Sequence, residues 1–193
     1  TKDQSYVLYS MTQDELKHTL FPLGEYNKTQ IREIANEQGF LNANKHDSQD
    51  ICFVPDGNYS AFIEKRLGKP CEKGNFVDKN GKILGEHQGI IRYTIGQRKG
   101  LGIAFGKPMF VTDIRPETNE VVLGDQDDLF KKTLVADNIN LISVEKIEEP
   151  MHISAKIRYS KAEQPATVTQ DGDKLYIEFD EPQRAITKGQ AVV

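Results

Sequence analysis

The sequence predicts a mainly β protein, α+β overall, with its helices in the first third of the chain. Helix-capping residues and apolar residues at helical spacing fall within residues 12–67. From Gly74 onward, short runs in which apolar and polar residues alternate are separated by turn sequences. We therefore expect helices first and then a small barrel or sandwich of short strands.

Three helices are predicted from their boundary residues. Thr12 with Glu15, and Asn27 with Gln30, have the spacing of a capping box, in which each side chain accepts a backbone N–H bond of the other residue. Glycine or proline follows each expected end. The predicted helices run from Gln13 to before Pro22, from Asn27 to Gly39, and from Tyr59 to Leu67.

Two hairpins are predicted from turn sequences between apolar runs. Asn80-Gly81 suits the left-handed positions of a tight turn between Phe76-Val77 and Ile83-Leu84. The second hairpin joins Met109–Ile114 to Val121–Leu123.

A longer strand is predicted over Met151–Tyr159, because its residues alternate strictly. The alternation places Ile157 and Tyr159 on the core face, and Lys156 and Arg158 on the opposite, exposed face. We expect Arg158 to point outwards and Tyr159 to support it.

Composition limits the classes of function. The chain has 193 residues, of which 37% are hydrophobic and 28% charged, and no apolar run approaches the roughly 18–20 residues of a membrane span. We expect a cytoplasmic protein with no membrane partner. Its two cysteines, Cys52 and Cys71, are too few for a disulfide scaffold or a structural zinc site, and no metal site is predicted. A net charge of -4 means that nucleic acid would need a local cationic patch.

Three stretches contain residues that could act in catalysis or binding. Each of them can also be explained by a purely structural role. Cys52 follows a polar loop and enters an apolar run, which suits either a reactive thiol or a buried strand cysteine. The glycine-rich segment 96–106 presents Gln97, Arg98 and Lys99 to a phosphate or base edge, or is simply a tight loop. The basic face with Lys156, Arg158 and Lys161 beside Tyr159 suits an RNA platform or a solvated sheet face.

Five motifs in this order resemble the bacterial tRNA-specific 2-thiouridylases, the MnmA family. The resemblance covers essentially the whole chain, and the glycine-rich motif is the longest and most distinctive. The motifs are Lys2-Asp3-Gln4-Ser5-Tyr6, Leu20-Phe21-Pro22-Leu23-Gly24, Asp47-Ser48 through Ile51-Cys52-Phe53, Gly85-Glu86-His87-Gln88-Gly89, and Thr94-Ile95-Gly96-Gln97-Arg98-Lys99-Gly100-Leu101-Gly102.

The resemblance implies a sulfurtransferase that uses ATP and Mg²⁺ to adenylate C2 of the wobble uridine, position 34 of tRNA, and then replaces its oxygen with sulfur. Cys52 would carry the sulfur as a persulfide, supplied by a cysteine desulfurase or a sulfur-relay protein. A second cysteine, in the ATP-binding domain, would take part in releasing the sulfur. Cys71 does not match that position and is read as an incidental thiol.

The family's ATP-pyrophosphatase loop, Ser-Gly-Gly-x-Asp-Ser-Ser, does not occur in this sequence. We therefore expect a fragment without the N-terminal ATP-binding domain, which binds no cofactor itself and is inactive alone. The alternative is a non-catalytic RNA-binding β module with Cys52 as a packed residue.

The resemblance also implies tRNA contacts and a division into domains. Matching positions make Lys2, Asp3, Gln4, Arg158, Tyr159 and Gln190 tRNA-binding residues; Arg98 and Lys99 are added on their chemistry alone. The expected domains are residues 1–56, the helical tail of an α/β ATP-pyrophosphatase domain with the cysteine loop; residues 57–115, a small central β domain; and residues 116–193, a C-terminal β-barrel resembling domain 2 of elongation factors.

Overall fold

The computed structural model describes residues 5–45, 53–54 and 56–193. These residues belong to two compact units, the first formed by Thr1–Gly57 with Asn140–Glu145 and the second by Asn58–Ile139 with Lys146–Val193. Two four-stranded sheets account for most of the regular structure, which confirms the predicted mainly β class. In the part of the chain that is described, no helix has the length and apolar character to cross a membrane.

The helices of the first unit begin where the capping residues predict. The second also ends as predicted, whereas the first ends at Lys17, several residues before Pro22. Helix α1 spans Gln13–Lys17 and α2 spans Lys28–Glu37, and both have a complete capping box, at Thr12 and Asn27 respectively. After α2, Gly39 adopts a φ of 70°. The N–H groups of Gly39 and Phe40 then donate to carbonyls of the last helical turn at 3.0 and 2.9 Å, so glycine is needed at this turn.

The segment 140–145 is held to the rest of the first unit by side-chain amides. The amide of Asn140 donates to the carbonyl oxygens of Tyr9 at 2.7 Å and Met11 at 2.8 Å. The amide of Gln13 donates to the carbonyl of Ile142. These three backbone carbonyls lie outside helices and strands, and they accept hydrogen bonds from side chains of the same unit.

The second unit begins with helix α3, Tyr59–Leu67, which lies between its Asn58 cap and Gly68, as predicted. Its first sheet has the order β2-β1-β4-β3 and joins antiparallel hairpins through the parallel pair β1–β4. The strands are β1 Gly74–Val77, β2 Ile83–His87, β3 Phe110–Arg115 and β4 Glu120–Gly124. Both predicted hairpins are confirmed. The expected domain boundary between residues 115 and 116 falls in the turn of the second hairpin, whose two strands pair in one sheet.

The core of the first sheet is a cluster of fully or nearly fully buried side chains. Phe76 is surrounded by Tyr93, Leu101, Val111, Val121 and Leu123. The ring of Phe76 meets that of Tyr93 edge to face, with centroids 5.1 Å apart. Leu101 belongs to the glycine-rich segment, so this core anchors the segment that carries Arg98 and Lys99.

The second sheet is antiparallel throughout, in the order β5-β8-β7-β6. Its buried residues alternate along the strands, for example Ala166 and Val168 in β7, and Ile177 and Phe179 in β8. The strands are β5 Phe130–Ala136, β6 Met151–Ala155, β7 Gln164–Asp171 and β8 Lys174–Arg184.

The prediction of one strand over Met151–Tyr159 is wrong, because β6 ends at Ala155. Ala155 pairs with Gln164, the first residue of β7, so the partner strand begins there and the chain beyond Ala155 has no place in the ladder. Lys156 instead exchanges two backbone hydrogen bonds with Val193, at 2.6 and 3.0 Å. A turn closed by the Lys161 N–H on the Arg158 carbonyl, at 3.1 Å, follows.

Candidate nucleic-acid interface

The residues predicted to form the site divide between described and undescribed parts of the chain. Cys52, Lys2, Asp3 and Gln4 lie outside the described residues. The other five predicted residues belong to the second unit: Arg98, Lys99, Arg158, Tyr159 and Gln190.

The glycine-rich segment is built on β3. Backbone hydrogen bonds join the Gly96 N–H to the Val111 carbonyl at 2.8 Å and the Val111 N–H to the Gln97 carbonyl at 2.9 Å. The Gln97 side chain accepts from the Thr94 N–H at 3.0 Å and donates to the Lys99 carbonyl, also at 3.0 Å. Gln97 is therefore engaged in holding the loop, with one amide N–H used within it.

Arg98 and Lys99 are both exposed at the tip of this loop. Neither has an ion-pair partner among the described residues, whereas Lys107, just after the glycine-rich segment, contacts Asp125 at 2.8 Å. The loop therefore presents two adjacent cations whose charge is not offset by a nearby described carboxylate. Phosphate oxygens are the groups that such cations bind in nucleic acids.

Arg158 points into the protein, not outwards as the alternation predicted. Its guanidinium donates to the carbonyl oxygen of Ala185 at 2.9 Å and to the hydroxyl of Thr187. Its Nε is buried and has no hydrogen-bond partner among the described residues. The physical reason is the end of β6 at Ala155, since the ladder no longer fixes the side-chain directions after it. Ile157 is still buried as the alternation predicts, but Arg158 and Tyr159, which lie in the following turn, are not arranged as predicted.

Tyr159 is exposed, and the expectation that it faces the core is also wrong. Its side chain is 37% accessible, and the Lys156 ammonium lies 5.6 Å from the centre of its ring. This distance allows a cation–π contact, which leaves part of the ring accessible. The pair Lys156 and Tyr159 can thus offer a flat aromatic surface beside a positive charge.

Gln190 is exposed and lies in a turn that begins at Ala185. Its N–H donates to the Thr187 carbonyl at 3.4 Å, and the intervening Lys188 contacts Asp113 at 3.2 Å. The start of this turn contacts the glycine-rich segment, since a Cβ at Gly96 would lie 3.2 Å from the Cβ of Ala185. The sequence gives no signal for Ala185 or Thr187, because their importance depends on contacts between distant segments.

The Gly85–Gly89 motif surrounds a structural histidine. His87 is fully buried; its Nδ1 accepts from the Gly89 N–H at 3.0 Å and its Nε2 faces the Asn119 carbonyl at 3.1 Å. A donor on one nitrogen and an acceptor on the other fix the neutral tautomer with the proton on Nε2. Burial lowers the pKa of His87, although the hydrogen bond to Asn119 acts in the opposite direction. This motif stabilises the first sheet.

Cys71 lies beside the same motif. A Cβ at Gly89, where φ is 105°, would approach the Cys71 Cβ to 2.7 Å, so only glycine fits there. The Cys71 N–H donates to Glu64, and this bond, together with the Arg92 guanidinium at 2.8 Å, lowers the pKa of the Glu64 carboxyl. The backbone of Cys71 is thus held in place by its neighbours.

The glycine-rich segment does not have the geometry of a phosphate-binding loop. Its Gly96 and Gln97 N–H groups, which such a loop would direct at its ligand, donate to protein carbonyls. No group of three or more histidine, cysteine, aspartate or glutamate residues within the described ranges could hold a metal ion.

Three family models match the chain in succession. Residues 1–56 match a tRNA methyl transferase HUP domain, residues 60–125 a tRNA methyl transferase PRC-barrel domain, and residues 131–193 an aminomethyltransferase beta-barrel domain. The second matched region contains the first sheet, and the third contains the second sheet apart from Phe130, the first residue of β5.

Curated relatives match over all 193 residues. The chain is 58% identical to the tRNA-specific 2-thiouridylase MnmA of Clostridioides difficile and 56% identical to that of Lachnoclostridium phytofermentans, in each case over 54% of the relative's length. It is 54% identical to the MnmA of Carboxydothermus hydrogenoformans over 53% of that protein. The chain therefore spans about half the length of these relatives. The sequence identity exceeds 50% over the full length of the chain, and three domain models match it in order. These matches show that the chain belongs to the family of the tRNA-specific 2-thiouridylases.

Proposed function

We propose that this chain works as part of a tRNA-specific 2-thiouridylase, a sulfurtransferase that replaces the C2 oxygen of wobble uridine 34 with sulfur. The observation that carries the proposal is the identity of 58% over the whole chain to a relative with that name. We propose that the whole protein acts in the cytoplasm with ATP and Mg²⁺, and that its partners are tRNA and a sulfur-donor protein.

In this proposal the chain supplies the sulfur carrier, Cys52. A cysteine persulfide is a strong nucleophile near neutral pH, so it can deliver sulfur to an electrophilic carbon. Cys71 is not given this role, because its Cβ packs against Gly89 and its N–H is held by Glu64. The two thiols therefore have different expected reactivities.

The chain also supplies surfaces for tRNA, which include Lys2, Asp3 and Gln4. Exposed Arg98 and Lys99 are placed to contact phosphates, and exposed Tyr159 beside Lys156 to stack on a base or sugar. Exposed Gln190 can donate and accept hydrogen bonds. The inward guanidinium of Arg158 supports this surface from within. We propose that Arg98, Lys99, Tyr159 and Gln190 form a tRNA-binding surface of the second unit.

Sulfur loading tests the assignment of Cys52 directly. The chain is incubated with a cysteine desulfurase and cysteine, and persulfides are trapped by alkylation and located by mass spectrometry. We expect sulfur on Cys52 and its loss in Cys52→Ser, while Cys71→Ser is loaded normally. Loading on Cys71 alone would overturn the assignment, and a chain that binds tRNA without any loading would favour a non-catalytic RNA-binding module.

A further inference from the structure

We propose that Arg158 and Thr187 are positioning residues, which fix the turn from Ala185 to Gln190 so that Gln190 is presented to RNA. We name the hydrogen-bonded group of Arg158, Ala185 and Thr187 the Arg158 clamp. The proposal rests on the proposed tRNA binding and deepens it, because it assigns Arg158 an action through Gln190.

The clamp is closed by three hydrogen bonds. Arg158 donates to both the Ala185 carbonyl, at 2.9 Å, and the Thr187 hydroxyl. The Thr187 hydroxyl in turn donates to the Ala185 carbonyl at 3.0 Å. Hydrogen bonds from a charged donor are stronger than neutral ones, so a guanidinium is well suited to hold a turn of the main chain.

The turn needs such support because its first residue is strained. Ala185 has a φ of 60°, in the left-handed region that residues with a Cβ rarely adopt. It is nevertheless 4% exposed and packs with Phe110 and Leu129, and its N–H donates to the Leu129 carbonyl at 2.8 Å. Packing on one side and Arg158 on the other therefore keep Ala185 in this conformation.

The position of Gln190 depends on this support. The Thr187 carbonyl accepts from the Gln190 N–H at 3.4 Å, so the residue held by Arg158 also holds Gln190. Between them, Lys188 is tied to Asp113 of β3 at 3.2 Å. Loss of the clamp should free the main chain at residues 188–190 and weaken any contact that Gln190 makes.

Two of the three guanidinium nitrogens of Arg158 face the protein. Its Nε is buried without a hydrogen-bond partner among the described residues, and one of its terminal nitrogens serves both acceptors of the clamp. Arg98 differs, because it is exposed on the loop tip. The expected effect of Arg158 on RNA binding is therefore transmitted through the turn.

Thr187→Val is the informative variant, because it removes one hydroxyl of the clamp and leaves Arg158 in place. Thr187→Ser restores the hydroxyl. Thr112→Val is the matched control: Thr112 is also half-buried and its hydroxyl also donates to a main-chain carbonyl, that of Val122, but in the first sheet.

Backbone order is measured first in the tRNA-free chain by nitrogen relaxation. We expect the order parameter of Gln190 to fall from near ~0.85 to below ~0.6 in Thr187→Val, and to be unchanged in Thr187→Ser and Thr112→Val. This measurement does not depend on RNA binding.

Affinity for tRNA is measured next. We expect Thr187→Val to weaken binding about three- to tenfold, and by less than about twofold when Gln190 is already replaced in Gln190→Ala. Unchanged order and affinity in Thr187→Val, or an equal loss of affinity with and without Gln190, would overturn the proposal. If the wild-type chain binds no tRNA, the proposed tRNA binding fails, and loss of order at Gln190 alone decides whether the clamp exists.

Discussion

His87 is enclosed by protein on all sides, with the rings of Phe76 and Tyr93 each 5.5 Å from its own. Both of its nitrogens have main-chain partners, the Gly89 N–H and the Asn119 carbonyl. Protonation would add a second N–H that faces a donor and would bury a charge. The neutral form is therefore the one that the fold stabilises.

We expect the free energy of unfolding to decrease as pH falls below about 6.5, the ordinary value for an unfolded histidine. The pKa of His87 is lower in the folded state, so below that pH the unfolded chain binds more protons and stability is lost. The slope attributable to His87 is at most about 1.4 kcal/mol per pH unit. Urea unfolding between about pH 5.5 and 7.5 measures it.

The variant that tests this prediction is His87→Gln. We expect it to be less stable than the wild type at neutral pH, and its free energy of unfolding to depend less steeply on pH. Equal slopes in the wild type and His87→Gln would mean that His87 does not cause the acid sensitivity.

Tyr159 and Arg158 are neighbours with opposite surroundings, so their replacements should have different effects. Tyr159→Ala should weaken tRNA binding by roughly 1–3 kcal/mol if the ring stacks on a base, with little change in melting temperature. Arg158→Ala should lower the melting temperature, because it removes the donor that holds Ala185. Calorimetry and tRNA titration of both variants separate these effects.

Tyr176→Ala is the matched control for Tyr159, because Tyr176 is 43% exposed but lies on β8. We expect it to bind tRNA as the wild type does. Equal losses of affinity from Tyr159→Ala and Tyr176→Ala would show that the effect is not specific to the proposed surface.

Among the elements, the glycine-rich segment has a conformation that depends on a contact with a distant part of the chain. Gly96 and Gly106 both have positive φ, 90° and 72°. A side chain at Gly96 would press on Ala185 at 3.2 Å, whereas nothing lies within 4 Å of a Cβ at Gly106. An alanine at either position would have a left-handed backbone, but only an alanine at Gly96 would also be crowded. Comparing the two replacements therefore distinguishes the cost of backbone strain from the cost of crowding.

We expect Gly106→Ala to cost about 1–2 kcal/mol, the cost of a left-handed alanine. Gly96→Ala should cost more and should also weaken tRNA binding, because it displaces Ala185 and the turn that follows. Denaturant unfolding and tRNA titration of both variants provide the comparison. Equal stability of Gly96→Ala and Gly106→Ala would show that crowding against Ala185 does not contribute to the cost at Gly96.

The elements that the sequence predicts well are those specified by neighbouring residues. The capping boxes at Thr12 and Asn27 and the turn at Asn80-Gly81 are local, and the corresponding helix starts and the hairpin form as predicted. Within the turn, Gly81 has the predicted left-handed φ, 85°, but Asn80 does not. The strand through Tyr159 was predicted wrongly, because its end depends on where β7 begins and on the pairing of Lys156 with Val193. The orientations of Arg158 and Tyr159 follow from that end. The positive φ of Ala185 has no sequence signature at all.

At the scale of the whole chain, the net charge of -4 means that the proposed tRNA binding needs a local cationic surface. We expect the affinity to fall by roughly 0.7–0.9 log units per phosphate contact for each tenfold rise in salt. Replacing both Arg98 and Lys99 by alanine should reduce this slope by about two contacts. Titration of tRNA at several salt concentrations measures it.

Lys107→Ala is the control from the residues just after the glycine-rich segment, because Lys107 is paired with Asp125. We expect it to change the salt slope by less than one contact. A wild-type slope in the Arg98 and Lys99 double variant would exclude the loop tip from the tRNA surface.

The most direct test of the proposed function replaces the matching half of the Clostridioides difficile relative with this chain and measures 2-thiouridine in tRNA from cells that depend on the chimera. We expect the chimera to restore 2-thiouridine. Cys71→Ser should leave it restored, whereas Cys52→Ser should abolish it at an equal protein level. Normal 2-thiouridine in the Cys52→Ser chimera would contradict the role of Cys52 as the sulfur carrier.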